Sequence, residues 1–237
     1  MNHVREVHGG VYLIGSSELT SPEDCCVYLV DLGDLVMIDA GAGKSVPALL
    51  ENVASLGFSQ GSITAVIATH CHIDHAGGIS KLREMTDCQV IAHGLDAAAL
   101  ETGDRMKTAA DWYGVNFPPT PVDYRLSEVR EVLKFPKGEL LCLHTPGHTP
   151  GSISLVLDRD GKRVLFGQDI HGPFAEEFGS DIKAWRRSMK TLLGLKADIL
   201  CEGHFGIYQP EEEVEKYIRN YLEMYKKNRF PLQVFFF

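Results

Sequence analysis

Positive charge is the first shortage in this 237-residue chain: 23 Lys and Arg stand against 32 Asp and Glu, a formal net charge of −9. That balance argues against a general nucleic-acid binder and against a protein held on anionic lipid, since both need a basic face. It leaves room for an anionic small substrate, because a bound cation reverses the local field. No stretch approaches 18 uninterrupted apolar residues, so no membrane span is expected. The opening MNHVREVHGG lacks the basic-then-apolar order of a signal peptide. Six cysteines, at 25, 26, 71, 88, 142 and 201, show neither CxxC nor framework spacing and read as reduced thiols of a cytoplasmic protein. Low-complexity linkers and short repeats are also missing, which favours one domain over residues 1–237.

What is present is an ordinary globular composition, 44% hydrophobic and 23% charged, enough for a core without staples. CCVYLV and LVMIDAG flank Asp31-Leu32-Gly33-Asp34, a turn sequence, and predict a hairpin. Residues 45–56 carry apolar residues at helical spacing, with Ser45 placed to cap and Gly57 to stop. ITAVIATH reads as a short buried strand, followed by a helix over 78–86, a strand over 88–92 and a helix over 94–101. Past residue 125 the strands LLCLHT, SISLVL and RVLFGQD follow, the last two joined by the turn 158–161. A helix over 181–193, a strand over 198–202 and a charged helix over 210–228 complete the pattern. Two batches of strands, each with helices, predict an α+β sandwich of two face-to-face sheets with helices outside.

The densest chemistry is ATHCHIDHAGG, residues 68–78, with three histidines and an aspartate in six positions. In an extended segment alternate side chains share a face, so His70 and His72 point together and Cys71 points away. Asp74 and His75 follow in a tight loop, offering a second ligand set. Further polar residues terminate other apolar strands: His148 in HTPGHTPGS, Asp169 after VLFGQ and His204 in DILCEGH. Imidazole and carboxylate are common metal ligands, and their convergence would make a carboxylate-bridged dinuclear site.

H-x-H-x-D-H at 70–75, the His of TPGHTPGS, the Asp after LFGQ, the His of GHFG and Asp39 in VMIDAG together resemble the metallo-β-lactamase superfamily. The resemblance spans about residues 8 to 208, leaving a C-terminal helix and apolar tail at 209–237. It implies a single four-layer αββα domain with metals at one edge between the sheets. His70, His72 and His148 would bind a first divalent metal, Asp74, His75 and His204 a second, and Asp169 both. Asp39 would order the ligand loop through hydrogen bonds. Zinc suits this donor set first, with iron or manganese accommodated by the same residues. The implied activity is a hydrolase in which a metal-bridging hydroxide cleaves a small ester, thioester or lactone, with Asp74 orienting it and relaying the proton. The alternative is a mononuclear iron persulfide dioxygenase; a phosphoester hydrolase or a noncatalytic metal-binding member ranks below both.

Departures inside the superfamily narrow the choice. Asp169 and the missing signal peptide set the chain apart from secreted β-lactamases, and His72 from flavin-linked diiron members, which have Glu there. The stretch IHGPF after Asp169 lacks the tyrosine of acyl-homoserine lactonases, and PEEEVEKY lacks the basic contacts of glutathione thioesterases. His171, Trp112 and Tyr113 are candidate contacts to a small-molecule substrate, the last two from a Pro-rich stretch over 102–121. Cys71 reads as structural, and His3, His8, His93 and His144 as solvated loop residues. The ending RFPLQVFFF is expected to dock in an apolar groove, on its own sandwich or across a homodimer.

Overall fold

The structure, a computed structural model, describes residues 4–226. A first sheet collects β1 (Arg5–His8), β2 (Val11–Gly15), β3 (Val27–Asp31), β4 (Leu35–Ile38), β5 (Ile63–Ile67), β6 (Gln89–His93) and β7 (Tyr124–Leu126), in that spatial order. Its first four strands run antiparallel and β4 to β7 parallel. The parallel half is wound through α1 (Val46–Ser55), α2 (Ile73–Ala76), α3 (Ile79–Thr86) and α4 (Gly94–Thr102). A second sheet holds β8 (Arg130–Phe135), β9 (Gly138–His144), β10 (Ile153–Arg159), β11 (Lys162–Gln168), β12 (Ile199–Glu202) and β13 (Ile207–Tyr208), ordered β13-β12-β11-β10-β9-β8. Its helices are α5 (Ile182–Gly194) and α6 (Glu211–Met224).

The alternation along single strands explains the layering. On β3, Val27 and Leu29 face α1 and α3, while Tyr28 and Val30 face the other sheet. On β10, Leu155 and Leu157 point inward and Val156 points out to α5 and α6. Three apolar clusters result: helices on the first sheet, sheet on sheet, and α5 with α6 on the second sheet. This is the αββα order expected from the sequence. Among the described residues no helix is long and apolar enough to cross a membrane.

The expected helices and strands lie within a few residues of their bounds, and the β3–β4 hairpin turns where expected, with Gly33 at φ 87°. Helix α1 ends before Gly57, at φ 85°. The sequence signal was too weak for β1, β7, β8 and β13, which are short or carry exposed and half-buried positions throughout, and β2, though buried, was also missed. The tail RFPLQVFFF and His3 lie outside the described residues.

Candidate metal centre

The ligand segment departs from its expected conformation. Strand β5 stops at Ile67, so His70 and Cys71 lie in a bend, His72 precedes α2, and Asp74 and His75 sit within that one-turn helix. The cause is capture of backbone groups by neighbours. Asp39 Oδ1 accepts from Thr69 N at 2.8 Å, Asp96 Oδ2 from Cys71 N at 3.0 Å, and Thr108 O from Ile73 N at 2.8 Å. His70 and His72 still reach one common point with His148. Cys71 turns away, its thiol donating to Lys107 O.

The seven expected ligands converge as two groups, His70/His72/His148 and Asp74/His75/Asp169/His204, with donor atoms inside each group within 4.8 Å of one another. Asp169 lies between the groups. Its Oδ2 is 3.5 Å from His148 Nε2 and 4.0 Å from His70 Nε2; its Oδ1 is 3.0 Å from His75 Nε2 and 3.3 Å from His204 Nε2. Asp169 is aimed there by a pairing irregularity between Phe166 and Gln168, where Gln168 adopts φ 47°. Gly203 lets this happen: a Cβ there would lie 2.4 Å from Asp169 Oδ1.

Asp39, itself at φ 62°, reaches both groups. Its Oδ2 accepts from His75 Nδ1 at 2.7 Å and from the Thr69 hydroxyl at 2.8 Å. With its proton given to Asp39, Thr69 Oγ1 accepts from His70 Nδ1 at 3.2 Å. In neutral rings this leaves Nε2 of both histidines bare. His148 is set the same way, its Nδ1 donating to Pro173 O at 2.6 Å.

The electrostatics differ between the groups. Burial, then the neighbouring imidazoles, pushes His70 and His72 well below the usual histidine range, and burial brings His148 down to about 4. Burial opposes charge on His204 as well, yet Asp169 and Asp74 hold it up at about 10. Burial likewise opposes charge on His75, but the Cys25 sulfur and the carboxylates of Asp169, Asp39 and Asp74 keep it well above its usual range. Burial would raise Asp74 and Asp169; His75 and His204 outweigh it, holding Asp74 at about 2 and Asp169 well below the carboxylate range.

These residues fit a divalent cation. Among the described residues Nε2 of His70 and of His72 are buried without a hydrogen-bond partner, which is costly unless something satisfies them. His148 Nε2 and His72 Nδ1 face each other at 2.8 Å. The second group concentrates two buried carboxylates, and the protons held on its histidines mark a place for positive charge.

The remaining candidates divide. Trp112 donates from Nε1 to Glu177 Oε1 at 3.2 Å, and its ring lies 4.6 Å from that of Phe178. Phe178 in turn packs on His72 at 4.3 Å. Tyr113 is half-buried, its hydroxyl pushed up by burial and then by the Asp74 carboxylate. His171 Nδ1 donates to Glu202 Oε1 at 2.7 Å. Three histidines read as solvated loop residues lie in strands instead: His93 is buried at the end of β6 and stacks at 3.9 Å on His144, the last residue of β9, and His8 in β1 donates to Arg159 O. His144, half-buried, donates from Nε2 to Pro150 O at 2.8 Å.

Sequence reasoning missed Asp96, Glu202 and Phe178. Asp96 is buried and ties the two ligand loops, accepting from Cys71 N, the Thr149 hydroxyl and Gly151 N. Its signal was a lone charge in the otherwise apolar GLDAAAL. Glu202, the one acidic residue of β12, is fully buried and accepts from His204 N and Phe205 N.

The model of the metallo-β-lactamase superfamily matches residues 21–204. The chain belongs to that superfamily. A probable metallo-hydrolase of Methanocaldococcus jannaschii is 31% identical over 131 residues, 55% of this chain and 61% of that protein. An acyl-coenzyme A thioesterase of Gallus gallus is 35% identical over 156 residues, 58% of this chain and 53% of its own length. The chain thus matches little more than half the length of either relative. Among solved structures, a B3 metallo-β-lactamase with an active-site glutamic acid superposes with a TM-score of 0.81 at 26% identity, over 96% of this chain and 90% of that one. The fold is therefore the superfamily's sandwich, and the His/Asp clusters at its edge support divalent metal binding.

Proposed function

We propose that the chain is a dinuclear metallohydrolase acting on a small ester, thioester or lactone. One observation carries this reading: Asp169 presents one carboxylate oxygen to each of two donor groups. On that placement His70, His72 and His148 would hold one ion, Asp74, His75 and His204 the other, and Asp169 would serve both. The histidine–carboxylate set suits zinc first, with iron or manganese fitting the same donors. Such ions supply Lewis acidity toward a carbonyl oxygen and lower the pKa of an attacking water to roughly 7.

The protein's own groups do the rest. Asp74 is ionised and lies at the second group, its Oδ2 3.2 Å from His204 Nε2, where it orients the attacking water and relays its proton to the leaving group. Phe178 packs on His72 and His148, with Trp112 behind it, forming an apolar wall that limits water at the first group and faces an acyl chain. Similarity to a thioesterase supports the thioester among the three bond types.

Metal analysis of purified protein, together with a panel of thioesters, esters and lactones, tests the reading. Two divalent ions per chain with hydrolysis are expected. One iron per chain, with oxygen consumed on a glutathione persulfide, would replace it with the mononuclear dioxygenase.

A further inference from the structure

Outside the second sheet, the exposed charges are sorted by helix. Over Ile182–Gly194, α5 carries Lys183, Arg186, Arg187 and Lys190 and no acidic residue. Lys183, Arg187 and Lys190 are exposed at i, i+4 and i+7, one stripe of the helix, and Lys196 is exposed just past its end. Lys183, Arg187, Lys190 and Lys196 make no ion pair among the described residues. Asp181, at the start of α5, is committed to capping, accepting from Lys183 N and Ala184 N. On α6 five glutamates stand against Lys216 and Arg219, and those two cations pair with Glu213 and Glu215 of the same helix. Glu212 and Glu223 are exposed; Glu223 pairs with Lys226, and Glu212 with no cation among the described residues. In a chain of net charge −9, a basic stripe beside an acidic one is a local pattern.

The two helices run antiparallel. Arg186, early in α5, donates to Tyr225 O just past the end of α6, while Lys196 and Glu211, at the opposite ends, line one cavity. That cavity, about 180 Å³, is a groove between the helices floored by Leu192, Leu193, Ala197, Val214 and Ile218. Two such layers can stack face to face about a two-fold axis in two ways. An axis across the helices sets α5 on α5 and α6 on α6, like charge on like. An axis along the helices sets each α5 on the α6 of the other copy, antiparallel, as in a four-helix bundle. Rotation about that axis shifts nothing along the helices, so residues level with each other in one copy face each other between copies. Arg187 then meets Glu223 of the second copy, and Lys196 meets its Glu212.

We propose that the α5/α6 face is the interface of a homodimer, with the basic stripe of α5 on the acidic stripe of α6 in a second copy, twice over, and the apolar groove closed between them. Charge selects this occupant. An anionic lipid surface laid on the same face would meet the α6 glutamates, which a second copy pairs instead.

Sedimentation velocity on the full-length chain tests this. The wild type should be a dimer whose Kd rises roughly tenfold between about 50 mM and 500 mM salt, as screening weakens the pairing. Arg187→Glu combined with Lys196→Glu should loosen the dimer roughly tenfold or more, and Glu212→Lys combined with Glu223→Lys should do the same. Circular dichroism of each variant confirms that the chain is folded. Mixed together, the two variants should form a heterodimer close to wild-type affinity, because both halves of its interface again join opposite charges. A wild type that stays monomeric at low salt overturns the proposal. So does a dimer indifferent to salt and to both variants, since its interface would lie elsewhere. Two variants that fail to pair with each other would rule out α5 on α6.

Discussion

The two donor groups of one cleft are built on opposite physical terms. His70, His72 and His148 are buried imidazoles whose charge is suppressed, covered by Phe178 and contacted by a single carboxylate oxygen. Asp74, His75, Asp169 and His204 form an acidic group whose histidines are driven toward charge, and His204 is 27% exposed at its side chain. The first group presents neutral donors against an apolar wall. The second concentrates negative charge, and its supports are also carboxylates: Asp39 behind His75 and Glu202 behind the backbone of His204. On the proposed reading the acyl chain lies toward the first group, while proton relay belongs to the second.

Breaking the element the two groups share should have the largest effect. Asp169→Ala removes the only carboxylate among the described residues that faces both sets, so turnover should fall by about a hundredfold to a thousandfold or more. The fold should survive, since the apolar clusters between its layers do not depend on Asp169. Circular dichroism, metal content and hydrolysis rates check this together. A variant with two tightly held ions and near-normal rates would remove Asp169 from its bridging role.

The comparison is sharpened by a change confined to each side. At the second group, Gly203→Ala would place a Cβ 2.4 Å from Asp169 Oδ1 and 3.2 Å from His75 Cε1, contacts that must be relieved by moving the carboxylate. Metal per chain should drop, with activity reduced roughly tenfold or more. Full stoichiometry and normal rates would mean that the Asp169 placement is not critical. At the first group, Trp112→Ala removes the backing of Phe178 without touching any proposed ligand. Metal content should be unchanged, while relative rates across acyl chain lengths shift roughly three- to tenfold. Equal losses for every chain length would make the 102–121 stretch a cover for the sheet rather than a wall of the pocket.

The same contrast explains what could be read from the sequence. The seven donors stood out because each follows an apolar strand, and HCHIDH packs four of them into six positions. Apart from β2, the apolar strands inside both sheets were visible through alternation or continuous burial. Hidden were residues whose roles exist only across the fold. Asp96 bonds to groups 25 and 55 positions away, and Phe178 reaches His72 from a short helical turn more than a hundred residues on. The bend at His70 and Cys71 was equally invisible, since it depends on Asp39 and Asp96 drawing backbone N–H groups out of the strand path. His93 was misread because only tertiary packing buries it.

The smallest expected effect tests whether the scaffold behind the first group shares its intolerance of positive charge. His93 caps α4, its Nδ1 accepting from Leu95 N at 3.3 Å. The remaining proton sits on a buried Nε2 with no partner. Burial, then the stacked His144, lowers the His93 pKa to about 4. His144 connects this pair to the His148 loop by donating to Pro150 O. The unfolded value is about 6.5, so the folded chain binds the proton less readily than the unfolded chain. The associated stability is fully present above pH 6.5 and is lost as pH falls from 6.5 toward about 4. His93→Asn keeps a side-chain oxygen able to cap the helix but removes the titration. Melting temperatures of the wild type should therefore fall more steeply between pH 7 and pH 5 than those of the variant, so that the gap between them narrows or reverses in acid. Parallel curves would show that protonation of His93 costs the fold nothing, and that the acid sensitivity of this side belongs to the ligands alone.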